Sequence, residues 1–347
     1  MRAATPRHPR HQVIDAEAAT YFPVRDSAWA GRRLTPREGT PWAAPGSFVA
    51  ARDSLRAAGV RVRAWVVATH SSAVGRTAPD LCVRNAFGNT YTCALCPSHP
   101  EVLSYAETVV TEAAQLCGVE AMIVEGCGPL GFSHQSQHEK TAGADWSALD
   151  ESLLSICFCD CCADAYAENG LSVDDLRQRI RHRVGTSAQQ VEEVLGEDAA
   201  PVLAVRAAWT ARLRTTLTAA ARSSGVEDLS FFAAPDAWAV GPNVALPALL
   251  GTDGTDRGAD SYVVNAWALD PSGAERVRAA ANLTPARVGA YTTVLPPTTA
   301  TPEDLVSHWS GLVDAGAEEL HIYHGGLAST ARLRNAGEAL AQVRAHR

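Results

Sequence analysis

The sequence predicts an α/β protein of the (β/α) TIM-barrel type, on three observations. Six short strand-like runs recur along the chain, each followed by helical sequence, which implies right-handed βαβ units and a parallel sheet. The length, 347 residues, suits one barrel of about 250 residues with insertions. Polar side chains capable of chemistry stand where those runs end, at the C-terminal rim on which barrels keep their sites.

In order, residues 1–50 read as an irregular N-terminal segment and residues 51–347 as the barrel. Pro41 to Pro45 breaks the chain before a helix over Ser47 to Ala58, which Gly59 stops. Val60 to Thr69 is the first strand, and its continuously apolar second half suits burial on both faces. A helix over Val102 to Leu116 leads to a second strand at Val119 to Val124. Asp145 to Tyr166 then holds one or two helices around a run of cysteines, and helical sequence covers Val173 to Val184 and runs from Pro201 to Arg222. Further strands are expected at Leu229 to Ala233, Ser261 to Asn265, Val288 to Thr293 and Glu319 to Tyr323. Helices follow near Ala274 to Ala281, Pro302 to Ala315 and Ala328 to Ala345.

Composition narrows the function classes. With 46% hydrophobic and 20% charged residues the chain is globular. A net charge of −8 gives no basic field for nucleic acid or an anionic membrane surface. No apolar run is long enough to span a bilayer, and the basic stretch Met1 to Arg10 has no apolar segment after it to make a signal peptide. Nine cysteines without a secretory start favour reduced thiols, metal ligation and a cytoplasmic setting.

Four of those cysteines fall within six residues: Cys157, Cys159, Cys161 and Cys162. The subset Cys157, Cys159, Cys162 spells C-x-C-x-x-C, which can occupy three corners of a tetrahedron around Zn²⁺. Near-adjacent cysteines are poorly placed to bond one another as disulfides. The fourth thiolate must come from elsewhere, with Cys82 and Cys93 among the candidates. Cys117 and Cys127 read as buried free thiols.

The strand ends supply the other candidates. His70 follows the first strand, Glu125 the second and Asp236 the third; Asn265 ends the fourth, Tyr291 lies in the fifth, and His321, Tyr323 and His324 mark the sixth. Trp65, Trp238 and Trp267 lie in or near the same strands, where aromatic faces suit stacking on sugar rings. Glu125 is the sharpest of these. An apolar strand, Ala-Met-Ile-Val, delivers one carboxylate into a loop, and partial desolvation there would raise its pKa and suit a general acid. His70, Asn85, His134, His138, Trp238, Asn265, Tyr291, Tyr323 and His324 are the expected partners of sugar rings and hydroxyls. His134, His138 and Glu139 lie close in sequence but lack the H-E-x-x-H spacing of a helical metal site.

With these residues named, the chain resembles the thermophilic-type family 42 β-galactosidases and, more broadly, glycosidase-like TIM barrels. The likeness covers residues 60–185. It is carried by the strand Ala64 to Thr69 with Pro79-Asp80 and Phe87-Gly88-Asn89, by Cys96-Pro-Ser-His-Pro, and by the strand ending in Glu125 with the cysteine comb beyond. The wording of these motifs is also similar to that of uncharacterised bacterial glycosidase-like proteins. The resemblance implies that Cys96 joins Cys157, Cys159 and Cys162 around a structural Zn²⁺, within a loop insertion at about 127–185. It makes Ala64 to Thr69 the third barrel strand and Glu125 the acid/base. Cys161 becomes a bystander.

The sequence departs from that family twice. Strand seven, Val288 to Thr293, carries no Asp or Glu to act as nucleophile, which leaves Asp236 as the best second carboxylate and Asp270 as the next. The first one or two βα units are lacking or altered, and an open sheet has edges to be covered, by a homo-oligomer for example. The expectation is therefore a glycoside hydrolase with a carbohydrate substrate. The alternatives are a carbohydrate-binding barrel that has lost catalysis, and a metal-dependent hydrolase using His70, His134, His138 and Glu139.

Overall fold

A computed structural model describes residues 19–39, 46–132, 146–186, 189–251, 258–298 and 301–345. His134, His138 and Glu139 lie outside the described residues. The chain divides into two compact units, Glu17–Phe232 with Asp236–Ala259, and Ala233–Pro235 with Asp260–Arg347.

The first unit is organised on three parallel strands, β1 (Arg63–Val67), β4 (Ala121–Glu125) and β5 (Asp228–Ala234), in that order. Register is tight: Val66 pairs with Val124, Val67 with Glu125, and Val124 with Phe231. Four of the five β4 residues are buried, as expected of a central strand covered on both faces, whereas the outer strand β1 leaves Trp65 exposed. Between β1 and β4 lie α3 (Ser72–Thr77), an antiparallel hairpin of β2 (Cys82–Arg84) and β3 (Thr90–Leu95), and α4 (Pro100–Cys117). The earlier helices are the short α1 (Asp26–Trp29) and α2 (Ser47–Ala57). Pro100 at the first turn and Gly118 in the left-handed region at the end bound α4 as its sequence prescribes. Arg25, in the N-terminal stretch, forks onto the buried carboxylate of Glu112 in α4 and so ties that stretch to the unit.

After β4 come α5 (Ala148–Leu154), α6 (Asp160–Glu168), α7 (Val173–Arg183), α8 (Val191–Leu195) and the 25-residue α9 (Ala199–Ser223). These enclose a second core made of Cys96, Leu153, Ile156, Phe158, Tyr166, Leu176, Leu195, Val202 and Trp238, among others. The short β6 (Val244–Ala245) pairs with β5, and α10 (Leu246–Leu250) follows it.

The second unit repeats the parallel pattern with β7 (Ser261–Asn265), β8 (Arg287–Thr293) and β9 (Glu319–Tyr323), separated by α11 (Ser272–Leu283) and α12 (Pro302–Asp314) and closed by α13 (Thr330–Ala345). Asn265 is in register with Tyr291, Tyr291 with His321, and Thr293 with Tyr323. All six expected strands form, with no limit more than three residues from the expected one. The hairpin of β2 and β3, the short helices α1, α3, α8 and α10, and the two-residue β6 are the elements the pattern missed. Among the described residues no helix is long and apolar enough to cross a membrane.

Candidate functional site

Glu125 is the last residue of β4 and is half-buried. Its Oε2 accepts a hydrogen bond of 2.9 Å from the indole Nε1–H of Trp65, one strand away on β1. Burial raises the Glu125 pKa above the ordinary carboxylate range, and the Trp65 hydrogen bond pulls against that rise. Trp65 is 43% exposed and packs at 5.2 Å against Phe232 of β5. A carboxyl group biased toward its protonated form thus lies beside an open indole. Gly126, at φ +67°, turns the chain immediately after the acid. Its N–H donates to Pro242 O and its carbonyl accepts from the Thr69 hydroxyl at 2.7 Å, so the turn is anchored from two sides. Phenylalanine at Trp65 removes the donor and keeps a ring. The Glu125 pKa is then expected to move further upward, as read by the carboxyl stretch in infrared difference spectra against pH.

The remaining candidates of this unit have other surroundings. His70 is half-buried and bridges to Ala94 beside the hairpin. Asn85 is buried and holds the hairpin loop: its Oδ1 accepts from the N–H groups of Phe87 and Asn89, and its Nδ2 donates to Tyr91 Oη at 2.8 Å. It also forms part of the wall of a cavity of about 450 Å³ with Phe87, Tyr91, Phe132 and Trp146. Asp236 is exposed, and its Oδ1 accepts from the N–H of Trp238 at 3.0 Å. Trp238 itself is buried, donates from Nε1 to Glu192 at 2.6 Å and packs against the Arg206 guanidinium, so its ring serves the core.

In the second unit an aromatic group forms at the ends of β7, β8 and β9. Trp267 stacks on Tyr323 at 5.3 Å, Tyr291 meets both rings, and His324 stands edge-on to Tyr323 at 4.9 Å. Asn265 Oδ1 accepts from the Trp267 N–H at 3.2 Å and turns that exposed indole out of the strand. Burial lowers the His324 pKa, and its Nδ1 is buried without a partner among the described residues. Asp270 is engaged elsewhere, accepting from the N–H and hydroxyl of Ser272 at the start of α11. His321, lower on β9, pairs with Glu319 at 3.0 Å.

The four-cysteine centre is the most sharply built group in the molecule. The sulfur atoms of Cys96, Cys157, Cys159 and Cys162 lie within 4.8 Å of one another and all four residues are buried. Cys96 follows β3, while Cys159 caps α6 and Cys162 sits in its first turn, so one helix start presents two thiols together. Cys96 Sγ is 3.6 Å from Cys162 Sγ and 3.7 Å from Cys159 Sγ. A tetrahedron with zinc–sulfur bonds of about 2.3 Å has edges of about 3.8 Å, so these spacings fit a Cys₄ zinc site. They are far too long for disulfides, and all nine cysteines are free. The outer contacts also suit thiolates: the N–H groups of Arg84 and Cys159 point at Cys157 Sγ, and Ser98 Oγ lies 3.1 Å from Cys96 and 3.4 Å from Cys159. Contacts with the sulfurs of Cys157, Cys162 and Cys96 hold Cys159 far below the ordinary thiol range. Cys82 and Cys93 stay outside the group, and Cys161 instead faces His99 Nδ1 at 3.3 Å.

With this geometry in view, two solved structures are informative. Alpha-L-fucosidase isoenzyme 2 from Paenibacillus thiaminolyticus aligns over 94% of this chain with a TM-score of 0.56 at 13% identity, and the chain spans 42% of that protein. The PgaB (BpsB) glycoside hydrolase domain from Bordetella bronchiseptica aligns over 94% of this chain and 83% of its own length, with a TM-score of 0.56 at 14% identity. The fold is an incomplete (β/α) barrel, similar to the folds of these two structures. Six parallel strands are present among the described residues where a full barrel has eight. No protein-family model and no curated protein matches the chain, so membership of family 42 is not shown.

Sequence reasoning missed the Trp65–Glu125 pair and the buried Arg206. The first depends on strand register, which no local pattern announces. The second had a signal: Arg206 and Arg214 fall in helical phase with Val202, Leu213 and Leu217 on the apolar stripe of α9.

Proposed function

We propose that this chain acts on carbohydrate as a glycosidase, with Glu125 as its general acid and a structural zinc ion bracing the loop that follows β4. The observation that supports this reading best is Glu125 itself. A carboxyl group with a raised pKa ends a strand of a glycoside hydrolase-like barrel, hydrogen-bonded to an exposed indole. Protonated Glu125 would give its proton to the glycosidic oxygen as the bond to the anomeric carbon breaks. Asp236, whose Oδ2 has no partner among the described residues, is the candidate to activate water or attack the anomeric carbon. Trp65 supplies a ring face for sugar beside Glu125, whereas Asn85 and Trp238 act through the scaffold; within the second unit Trp267, Tyr291, Tyr323 and His324 offer ring faces of their own. Cys96, Cys157, Cys159 and Cys162 would hold Zn²⁺, which supplies cross-linking and no chemistry. A reducing compartment such as the cytoplasm suits these free thiols.

A second reading, a carbohydrate-binding barrel without turnover, is favoured by one observation: β8 carries no carboxylate, and Asp270 is committed to capping α11. A panel of aryl α- and β-glycosides separates the two. The enzyme reading expects turnover of at least one glycoside, with a rate that declines as pH rises through the raised pKa of Glu125. Retention of neutral glycans on an array with no turnover of any panel member would establish the second reading. Zinc analysis is expected to find one ion per chain, and two would direct attention to His134, His138 and Glu139.

A further inference from the structure

We propose that Arg206 is the counter-charge of the four-cysteine centre, so that the long helix α9 and a bound divalent ion stabilise one another electrostatically. The inference rests on reading the cluster as a metal site. A guanidinium stays protonated inside proteins, so a buried one needs an anion nearby or a dense set of acceptors. Arg206 is buried, and among the described residues its contacts include neither. Its Nη1 donates to the Ser155 carbonyl at 3.3 Å, and its Cζ lies 5.7 Å from the centre of the Trp238 ring. Among the described residues it forms no ion pair. The small cavity beside it, about 10 Å³ and bounded by Pro129, Thr210 and Ala245, has room for about one water and supplies no charge.

The anion is the metal centre. Four thiolates around a divalent ion carry a net charge of two minus, and this centre lies in the same core as Val202 and Val205, which flank Arg206 on α9. Ser155, whose carbonyl Arg206 holds, stands two residues before Cys157. The electrostatic partners of Arg206 include Tyr166, Cys162, Cys157 and Cys96. The remaining contacts to the sulfurs come from Ser98, two backbone N–H groups and the His99 imidazole beside Cys159. The other guanidiniums near the comb, Arg84 and Arg177, are less buried and face Asp160 and Asp174. Of these three guanidiniums, Arg206 is the one that is deeply buried and pairs with no carboxylate among the described residues.

Zinc affinity, measured by competition with a chromophoric chelator, and melting curves of zinc-loaded and stripped protein test this for wild type, Arg206→Met and Arg206→Lys. Methionine is expected to weaken zinc binding about 10–100-fold, the usual effect of losing an outer contact to a metal site, and to lower the melting temperature of the loaded form more than that of the stripped form. Lysine keeps the charge and is expected to stay within about threefold of wild type. Equal losses of stability in loaded and stripped Arg206→Met, or unchanged affinity, would reduce Arg206 to a packing residue and overturn the inference. So would a lysine variant as weak as methionine. If Arg206→Met does not fold, neutral and polar Arg206→Gln takes its place in the same comparison. Failure of wild type to bind zinc would remove the metal reading itself, an outcome distinct from wild-type binding that Arg206 variants leave unchanged.

Discussion

Glutamine in place of Glu125 is expected to lower kcat on alkyl glycosides by about 10²–10⁴-fold, the usual contribution of a positioned general acid, with the metal content and melting profile retained. The loss should shrink on aryl glycosides with good leaving groups, since these depart without a proton. The basic limb of the pH profile should vanish with it. Stability gives an independent check, because the sign is fixed by the direction of the pKa shift. A carboxyl group raised in the folded state binds its proton more tightly there than in the unfolded chain. Stability therefore falls as pH rises from the unfolded pKa through the folded one, and is fully reduced above both. Glu125→Gln carries no such titration, so the variant should equal wild type at low pH and exceed it slightly near neutrality. A variant with wild-type turnover would exclude Glu125 from the reaction.

Serine at Cys159 is expected to have the largest effect on stability. Cys159 caps the helix that also carries Cys162, and its sulfur lies 3.7 Å from that of Cys96, so its loss opens the centre at its middle. Zinc binding in small peptides supplies on the order of 10 kcal/mol of folding energy. Here the surrounding apolar core of Phe158, Tyr166 and Leu176 limits the loss, and roughly 3–5 kcal/mol, or a fall in melting temperature on the order of 10 °C, is the expected scale. The variant should purify without stoichiometric zinc, and limited proteolysis should cut first between residues 155 and 185. Cys161→Ser is the control. That sulfur faces His99 outside the cluster, so metal and melting temperature should stay near wild type.

How far the sequence could be read depended on the length scale of each feature. Strands such as Ala121–Glu125 and Ser261–Asn265 were legible because buried parallel strands need apolar, β-branched runs bounded by polar ends. The hairpin of β2 and β3 was not, since a three-residue strand carries no period and its pairing is set by a turn that Asn85 locks from within. The same fact explains why Asn85 looked like a ligand residue: an amide saturated by its own loop and one awaiting a sugar are identical as letters. Trp238 is equally ambiguous as a letter, because large aromatics near strand ends serve cores as often as surfaces. The comb was readable because its chemistry is local, three thiols within six residues. Its fourth member came from a resemblance, and only the folded chain brings Cys96 to within 3.6 Å of Cys162.

That contact, between residues 66 positions apart, has a mechanical side. With an ion seated, the stretch from Cys96 to Cys162 becomes a closed ring in the path of the chain. Tension applied from either terminus runs across the metal–sulfur bonds and leaves the interior slack, withholding about 230 Å of contour at about 3.5 Å per residue. β4 and Glu125 lie inside the ring. Whatever pulls on this protein must first break the thiolate clasp before it can draw out the strand that bears the acid.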